Sequence, residues 1–503
     1  MWLFFYKKDF MKFSFLLLFF FCSSCSHLNR NIASLKDYQN KSFEEINQKI
    51  QKIINTGYQD RKECVQEYNS IYNSIFHSEI LETYFNEENI TVIEKDIRNS
   101  FLMRIYIKNS FKNFNIANKI DEECFFNAKE VFKALRYAED YFIEAYKEKI
   151  KESGLKKEAF EGKFPFLLVN PKFKFENYHN LKSGDVILSR GNAYSSAAIA
   201  RIGKSDYQFS HVSLIHKNKN QELETIQALI EVGSAVTSYS SFINEFNNRA
   251  VIFRYNEGEE IAKTASEIMY QKIMKYQITQ KLIPYDFSMN YKNSEKLFCS
   301  EIISLGFKLA ENSKDFLPKY KTQLESEMIP FLNNLGVPVN VQNINEYDVF
   351  APGDIQFEQK FDLVAEWRNP NRLEESRFKD FILTKIFEKM KTDHYKFDPS
   401  FKMDAKSKAI WTLRRTPMVS MLLKKVPLTL NSTQMETFMA LEKVGEVLYD
   451  YLEKRSNAYE FAMTPKQILI ELEMYFKIDY NLYLKNLKNK TSMNSTFHEI
   501  FHP

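Results

Sequence analysis

The pattern of apolar and polar positions divides the chain into three textures. From Ser42 to about Ser153 apolar residues recur at helical spacing, as in Ile46, Ile50, Ile53 and Ile54. The stripe Phe125, Val131, Phe132, Leu135, Ala138, Tyr141 and Phe142 repeats the spacing more broadly and predicts helices packed on helices. At Phe164-Pro165 the period shortens. Asp185–Ser189, His211–Ile215, Ala228–Val232 and Ala250–Phe253 predict strands, whereas Glu259–Lys275 and the segment after Leu297 predict helices. Beyond Asn369-Pro370 helical spacing returns at Phe378–Lys391, Met435–Lys454 and Pro465–Phe476, before a Lys-rich tail expected to fray. The fold class expected is therefore α+β, with helical segments at 26–160 and 371–503 on either side of a mixed domain at 161–370.

Composition sharpens this picture in two places. Glycine (12) and proline (13) are scarce in 503 residues, which favours long helices over a turn-dense all-β architecture. Eight of those glycines, from Gly184 to Gly353, fall inside the mixed segment, so its turns and strands are where a site is expected. Charge excludes more than it suggests. Lys+Arg 69 against Asp+Glu 65 leaves a formal +4 spread along the chain, with no basic stripe for nucleic acid.

The N-terminus reads as an address. Lys7, Lys8 and Lys12 precede an apolar run from Phe13 to Phe21, too short to span a bilayer but the length of a signal-peptide core. The run ends in Cys22-Ser23-Ser24-Cys25, which resembles a bacterial lipoprotein cleavage box. Residues 1–25 are expected to be the signal, with Cys25 the lipidated residue and Ser26 directing the product to the outer membrane, facing the periplasm. No second segment of about 20 apolar residues follows.

Five cysteines, Cys22, Cys25, Cys64, Cys124 and Cys299, give no paired Cys-x-x-Cys zinc spacing and no dense disulfide framework. Neither a metal nor another cofactor is implied. A Cys64–Cys124 bridge is open, since sequence alone does not fix their distance. Cys299 stands at the predicted start of a helix, where exposed N–H groups favour a thiolate. His211 opens a predicted strand that would hold an imidazole rigidly enough to take a proton from a thiol. Glu231, ending the next apolar segment, would accept the other imidazole N–H and fix the tautomer. His216, five residues after His211, faces the opposite side of the strand and is read as structural. Ser195-Ser196 lacks a Gly-x-Ser-x-Gly elbow and is read as a helix start capped by serine.

These residues resemble a family. Leu181 to Leu188, Phe209 to Leu214, Ile230-Glu231-Val232, Pro284-Tyr285-Asp286-Phe287 and Phe298 to Ile303 resemble the permuted papain-like amidases of the YaeF/YiiX type. That family is related to the NlpC-type cell-wall peptidases and more distantly to the lecithin:retinol acyltransferase-like enzymes. In it the histidine strand precedes the cysteine helix, as His211 precedes Cys299 here. The resemblance implies Cys299 as nucleophile, His211 as general base and then acid, Glu231 as the residue orienting the imidazole, and Tyr285 and Asp286 as lining of the substrate site. Gly184-Asp185 would make the tight turn into the first strand. Val232 departs from the alanine that often follows the glutamate.

The function expected is amide hydrolysis through an acyl-enzyme, with cell-wall peptides as substrate and a lipid anchor as the link to the membrane. Two rivals stand beside it. A lipid acyl hydrolase or acyltransferase of the same fold would act on acyl lipids, and a non-catalytic scaffold lipoprotein would use its helical segments to hold a partner. No protein partner is indicated.

Overall fold

The computed structural model describes residues 42–503 apart from 57–60, 78, 116–117, 151–157, 244–246, 280, 292–294, 315–320, 400, 416–428 and 490–494. The signal segment and Cys25 lie outside the described residues. The N-terminal segment is helical, as its spacing predicts: α1 (Phe43–Asn55), α2 (Arg61–Phe76), α3 (Thr83–Asn86), α4 (Ile90–Ser110) and α5 (Lys119–Ile150). Ser42 caps α1 by accepting the Glu45 N–H at 3.3 Å. A Cys64–Cys124 disulfide, with its Cα atoms 5.8 Å apart, ties α2 to α5.

The mixed segment forms one seven-stranded sheet: β1 (Leu167–Val169), β2 (Val186–Gly191), β3 (His211–Lys217), β4 (Leu223–Leu229), β5 (Gly233–Ser238), β6 (Asn247–Tyr255) and β7 (Phe361–Arg368). Its order is β1-β7-β6-β2-β3-β4-β5, and every neighbouring pair is antiparallel. The connecting helices are α6 (Tyr194–Ile199), α7 (Tyr239–Ile243), α8 (Glu259–Ile278), α9 (Cys299–Ala310) and α10 (Ile329–Leu335). Alternation sets the two faces. Val186, Leu188, Val212, Leu214, Val251 and Phe253 join one large core with the N-terminal helices, α8 and α9. Ile187, Ile215, Ala250, Ile252 and Trp367 form the core of the opposite face with Phe160, Phe175 and Phe242.

One predicted strand and one predicted helix cap need correction, and two strands escaped the sequence reading. Ala228–Val232 is not one strand: β4 ends at Leu229, a turn follows, and β5 begins at Gly233. Gly233 adopts φ +92°, and a Cβ there would stand 2.4 Å from the Ile283 carbonyl oxygen, so only glycine lets the turn approach that segment. The strands β1 and β7 lie at the far edge of the sheet from β4 and β5, and their short or polar sequences gave no alternation to read. Ser195 and Ser196 lie inside α6, whose N-cap is Ala193, so neither caps the helix.

The C-terminal segment contains α11 (Leu373–Thr392), α12 (Phe401–Arg414), α13 (Ser432–Ser456) and α14 (Pro465–Asn489). Its last described residues, 495–503, pack on the segment. Phe501–His502 pairs with Lys396–Phe397, and His498 Nδ1 lies 2.6 Å from Asp479 Oδ2.

A buried row of charges joins all three segments. Arg190, Arg249 and Arg368 stand side by side in register across β2, β6 and β7. Like charges placed so would repel, and carboxylates from both flanks offset this. Asp380 of α11 accepts from Arg190 at 3.0 Å, Asp140 of α5 from Arg249 at 2.9 Å, and Glu139 from Arg368 at 2.6 Å. Glu366 of β7 accepts from Arg104 of α4 and Arg136 of α5, both at 2.8 Å. Burial would raise the Asp380 carboxyl, yet Arg201, Arg190 and Arg249 together pull it down to about 2.

Candidate active site

The site is built where the β3–β4 ladder stops. Leu214 is the first residue of β3 in register with β4, opposite Ile226, so the strands are unpaired beyond it at residues 211–213. The Ile215 N–H bonds toward β2, on the Asp185 carbonyl, and alternation therefore aims the Val212 N–H at the opening on the β4 side. Cys299 fills it. Helix α9, whose first residue is Cys299, packs against β3, whose first residue is His211, and the Val212 N–H pulls the Cys299 thiol pKa down.

Helix α9 starts at Cys299 because Phe298 is extended, with ψ 172°, and Glu301 reaches back to accept the Phe298 N–H at 2.8 Å. The Cys299 side chain is 3% exposed. Burial pushes its thiol up to about 11, against the opposing pull of nearby N–H groups, that of Val212 first. The helix start alone predicts a lowered thiol. Desolvation outweighs it, because a thiolate here would lose its water without gaining a cationic partner.

His211 Nε2 lies 2.9 Å from Gln227 Oε1. Gln227, buried in β4, also donates from Nε2 to Thr237 Oγ1 at 3.1 Å, and Thr237 Oγ1 lies 2.7 Å from Thr225 Oγ1. With the amide nitrogen so used, Oε1 is left to accept an N–H from His211, and the imidazole carries its lone pair on Nδ1. Burial holds the imidazole below the usual histidine range, and the Gln227 bond works in the other direction.

The residue bonded to the His211 imidazole is therefore Gln227, which sequence reasoning missed. Glu231 is exposed in the β4–β5 turn, and no hydrogen bond joins it to His211 among the described residues. The turn that ends at Gly233 starts just beyond the paired strand, which carries Glu231 past the imidazole. What could have pointed to Gln227 is alternation: it is two residues before Leu229 and on the strand face of Thr225.

Tyr285 is buried beside the thiol. Burial first, then the nearby Cys299, Glu231, Asp286 and Glu301, raise its hydroxyl well above the usual tyrosine range. It is held there by the Ser234 N–H on the Ile283 carbonyl (2.9 Å) and the Leu297 N–H on the Pro284 carbonyl (3.1 Å). Asp286 does something else. Its carboxylate accepts from the Ser288 N–H (2.9 Å), the Ser288 hydroxyl (2.7 Å) and the Asn290 N–H (3.1 Å), so it shapes the 286–290 turn. Glu301 is buried at 3% exposure, and burial pushes its carboxyl up to about 8, with Asp286 adding repulsion.

Residues 180–323 match the family model described as permuted papain-like amidase enzyme, YaeF/YiiX, C92 family. The site lies in a permuted papain-like region. All the site residues above, Cys299, His211, Gln227 and Tyr285 among them, fall within the matched span. A solved structure described as the metalloprotein yiiX from Escherichia coli O157:H7 is similar over 36% of this chain and 96% of its own, at 18% identity and a TM-score of 0.27. No curated protein matches the chain.

The remaining sequence-predicted residues of the papain-like region have packing roles. Gly184, at φ +88°, approaches the Ala262 backbone and turns the chain into β2. Asp185 grips Arg254 at 2.8 and 2.7 Å. His216 is buried, with Nδ1 3.0 Å from Ser266 Oγ and its ring stacked 4.2 Å from Tyr270, a structural histidine on the face opposite His211. No group of three or more metal-ligating side chains occurs among the described residues.

Proposed function

We propose that the chain is a cysteine amidase of the bacterial envelope in which Cys299 is the nucleophile, His211 the base and then acid, and Gln227 the residue that orients the imidazole. The observation that carries this reading is the packing of α9, which begins at Cys299, against β3, which begins at His211, with the imidazole bonded to Gln227. The resting thiol is neutral. Attack on a substrate carbonyl is coupled to transfer of the thiol proton to His211 Nδ1, and His211 then protonates the leaving amine. The Cys299 and Ser300 N–H groups, which face the sulfur at the helix start, would turn to the oxyanion as it forms, the Phe298 N–H being held by Glu301. Water then releases the acyl group from the sulfur.

The family match supports an amide-bond substrate, and the signal-like N-terminus supports cell-wall peptides as its source. The Cys64–Cys124 disulfide fits an oxidising compartment such as the periplasm. No helix among the described residues is long and apolar enough to cross a membrane, and the proposed lipid on Cys25 would supply the attachment.

The test is incubation of the protein with purified cell-wall peptides and, separately, with phospholipids, followed by mass spectrometry of the products. Release of a free amine and a carboxylate from the peptides, lost in both Cys299→Ala and His211→Ala, is expected. Fatty acid release instead would move the substrate to acyl lipids. Turnover that survives Cys299→Ala would overturn the reading.

A further inference from the structure

A second feature of the molecule lies away from the cysteine. A cavity of about 500 Å³ opens between α5, the connection leading into β3 and the segment around residues 321–348. Phe125, Tyr207, Leu324 and Ile344 give it apolar walls, and three lysines, Lys129, Lys204 and Lys321, reach it.

Lys129 is the unusual one. Its side chain is 5% exposed, and no hydrogen bond or ion pair is made by its ammonium among the described residues. The rings of Phe357, Tyr207 and Phe125 surround it, with centroids 4.6, 5.0 and 5.4 Å from Nζ. Such rings offset part of the cost of a buried cation, but do not supply the hydrogen-bond acceptor it lost on leaving water. The carboxylate nearest in effect, Asp354, does not bond it: its Oδ2 accepts from the Thr322 hydroxyl (2.6 Å), the Thr322 N–H (3.1 Å) and the Ala351 N–H (3.0 Å), and its buried Oδ1 makes no hydrogen bond among the described residues. Burial accordingly pulls the Lys129 ammonium down to about 8, against the raising influence of Asp354.

We propose that this cavity binds a small carboxylate with an apolar body, with the Lys129 ammonium as its counter-charge. A single negative charge fits better than a phosphate. Lys321 is already paired with Asp348 at 2.6 Å, and Glu122 stands in the same wall, so a dianion would meet two carboxylates. The apolar walls then cover the body of the ligand, as is usual for sites of this volume. Lys204, exposed at the rim, draws the anion in. Tyr347 in the cavity wall donates to the Ser288 carbonyl at 2.7 Å, and Ser288 is held by Asp286, next to Tyr285. The inference does not depend on the hydrolase reading.

Isothermal titration calorimetry on the protein tests it, with decanoate as probe and decanamide and inorganic phosphate as comparators. Decanoate is expected to bind the wild type and Cys299→Ala alike, at least 10-fold more weakly to Lys129→Met, and not at all to Ile344→Trp, which fills the cavity without changing its charge. Should Lys129→Met fail to fold by circular dichroism, Ile344→Trp decides alone. Absence of decanoate binding, equal binding of decanamide, preference for phosphate, unchanged affinity in a folded Lys129→Met, retained binding in Ile344→Trp, or loss of binding in Cys299→Ala would each overturn the proposal.

Discussion

His211 Nε2 and Gln227 Oε1 stand 2.9 Å apart, so the imidazole of this site is oriented by a neutral amide and not by a carboxylate. An amide fixes the tautomer without adding the charge that would raise the base. Burial can then keep His211 below the ordinary histidine range, so that it is a free base throughout the neutral region.

Changing Gln227 should therefore separate geometry from charge. Gln227→Ala removes the acceptor and should lower kcat/KM by about 100-fold, within the range general acid–base groups contribute. Gln227→Glu keeps an acceptor but places an anion beside the imidazole, so the acid limb of the pH–rate profile should move to higher pH. A profile unmoved by Gln227→Glu would mean that His211 is not the group titrating there.

The thiol makes the opposite prediction. Because burial holds Cys299 up to about 11, iodoacetamide should alkylate it more slowly than free cysteine at pH 8, with the rate rising steeply only as pH approaches that value. Mass spectrometry of the labelled Cys299 peptide across pH 7–11 reads this directly. Rapid labelling at pH 7 would show a thiolate already formed at rest.

Much of this site was legible in the sequence, and the failure at Glu231 shows where legibility stops. Cys299 and His211 stood out because a helix start and a strand start are local features that the chain announces. Glu231 was chosen by assuming one strand from Ala228 to Val232, and the break at Leu229 moves it into an exposed turn. Alternation puts Gln227 on a face of β4, but its contact with His211, 16 residues away, comes only from β4 lying beside β3. The helical flanks were equally plain from spacing. The arginine row was not, because Arg190, Arg249 and Arg368 are far apart in sequence and become neighbours only through the β2-β6-β7 order.

Glu301 gives a stability test with a defined sign. Its carboxyl is raised to about 8 in the folded protein from the usual value of about 4.3, so the native state binds more protons than the unfolded state between those limits. Its contribution is thus fully present below pH 4 and is lost as pH rises toward 8. Glu301→Gln keeps an acceptor for the Phe298 N–H and removes the titration. The stability of this variant relative to wild type should grow between pH 4.5 and 8, by at least the roughly 1.4 kcal/mol that one pKa unit represents. Urea titrations of both proteins across that range check it, and a difference independent of pH would place Glu301 in the ionised state throughout.

The arginine row predicts that the papain-like region does not stand alone. Asp380 lies in α11, outside the matched span, yet it accepts from Arg190 of β2 and Arg201 and lies 3.4 Å from Arg249 of β6. Removing it leaves Arg190 in the sheet without its carboxylate, and an uncompensated buried charge costs about 3–5 kcal/mol. Asp380→Ala should lower the melting temperature more than Asp380→Asn, which keeps a hydrogen-bond acceptor for the guanidinium groups. A fragment ending at residue 370 loses the same carboxylate and should be unfolded by circular dichroism. A fragment covering 161–370 also loses Glu139 and Asp140 from α5, leaving Arg249 and Arg368 without those carboxylates, and should fare no better. A cooperative thermal transition in either fragment would mean that the sheet carries its arginines without the flanks, and that the helical segments are attachments rather than part of one core.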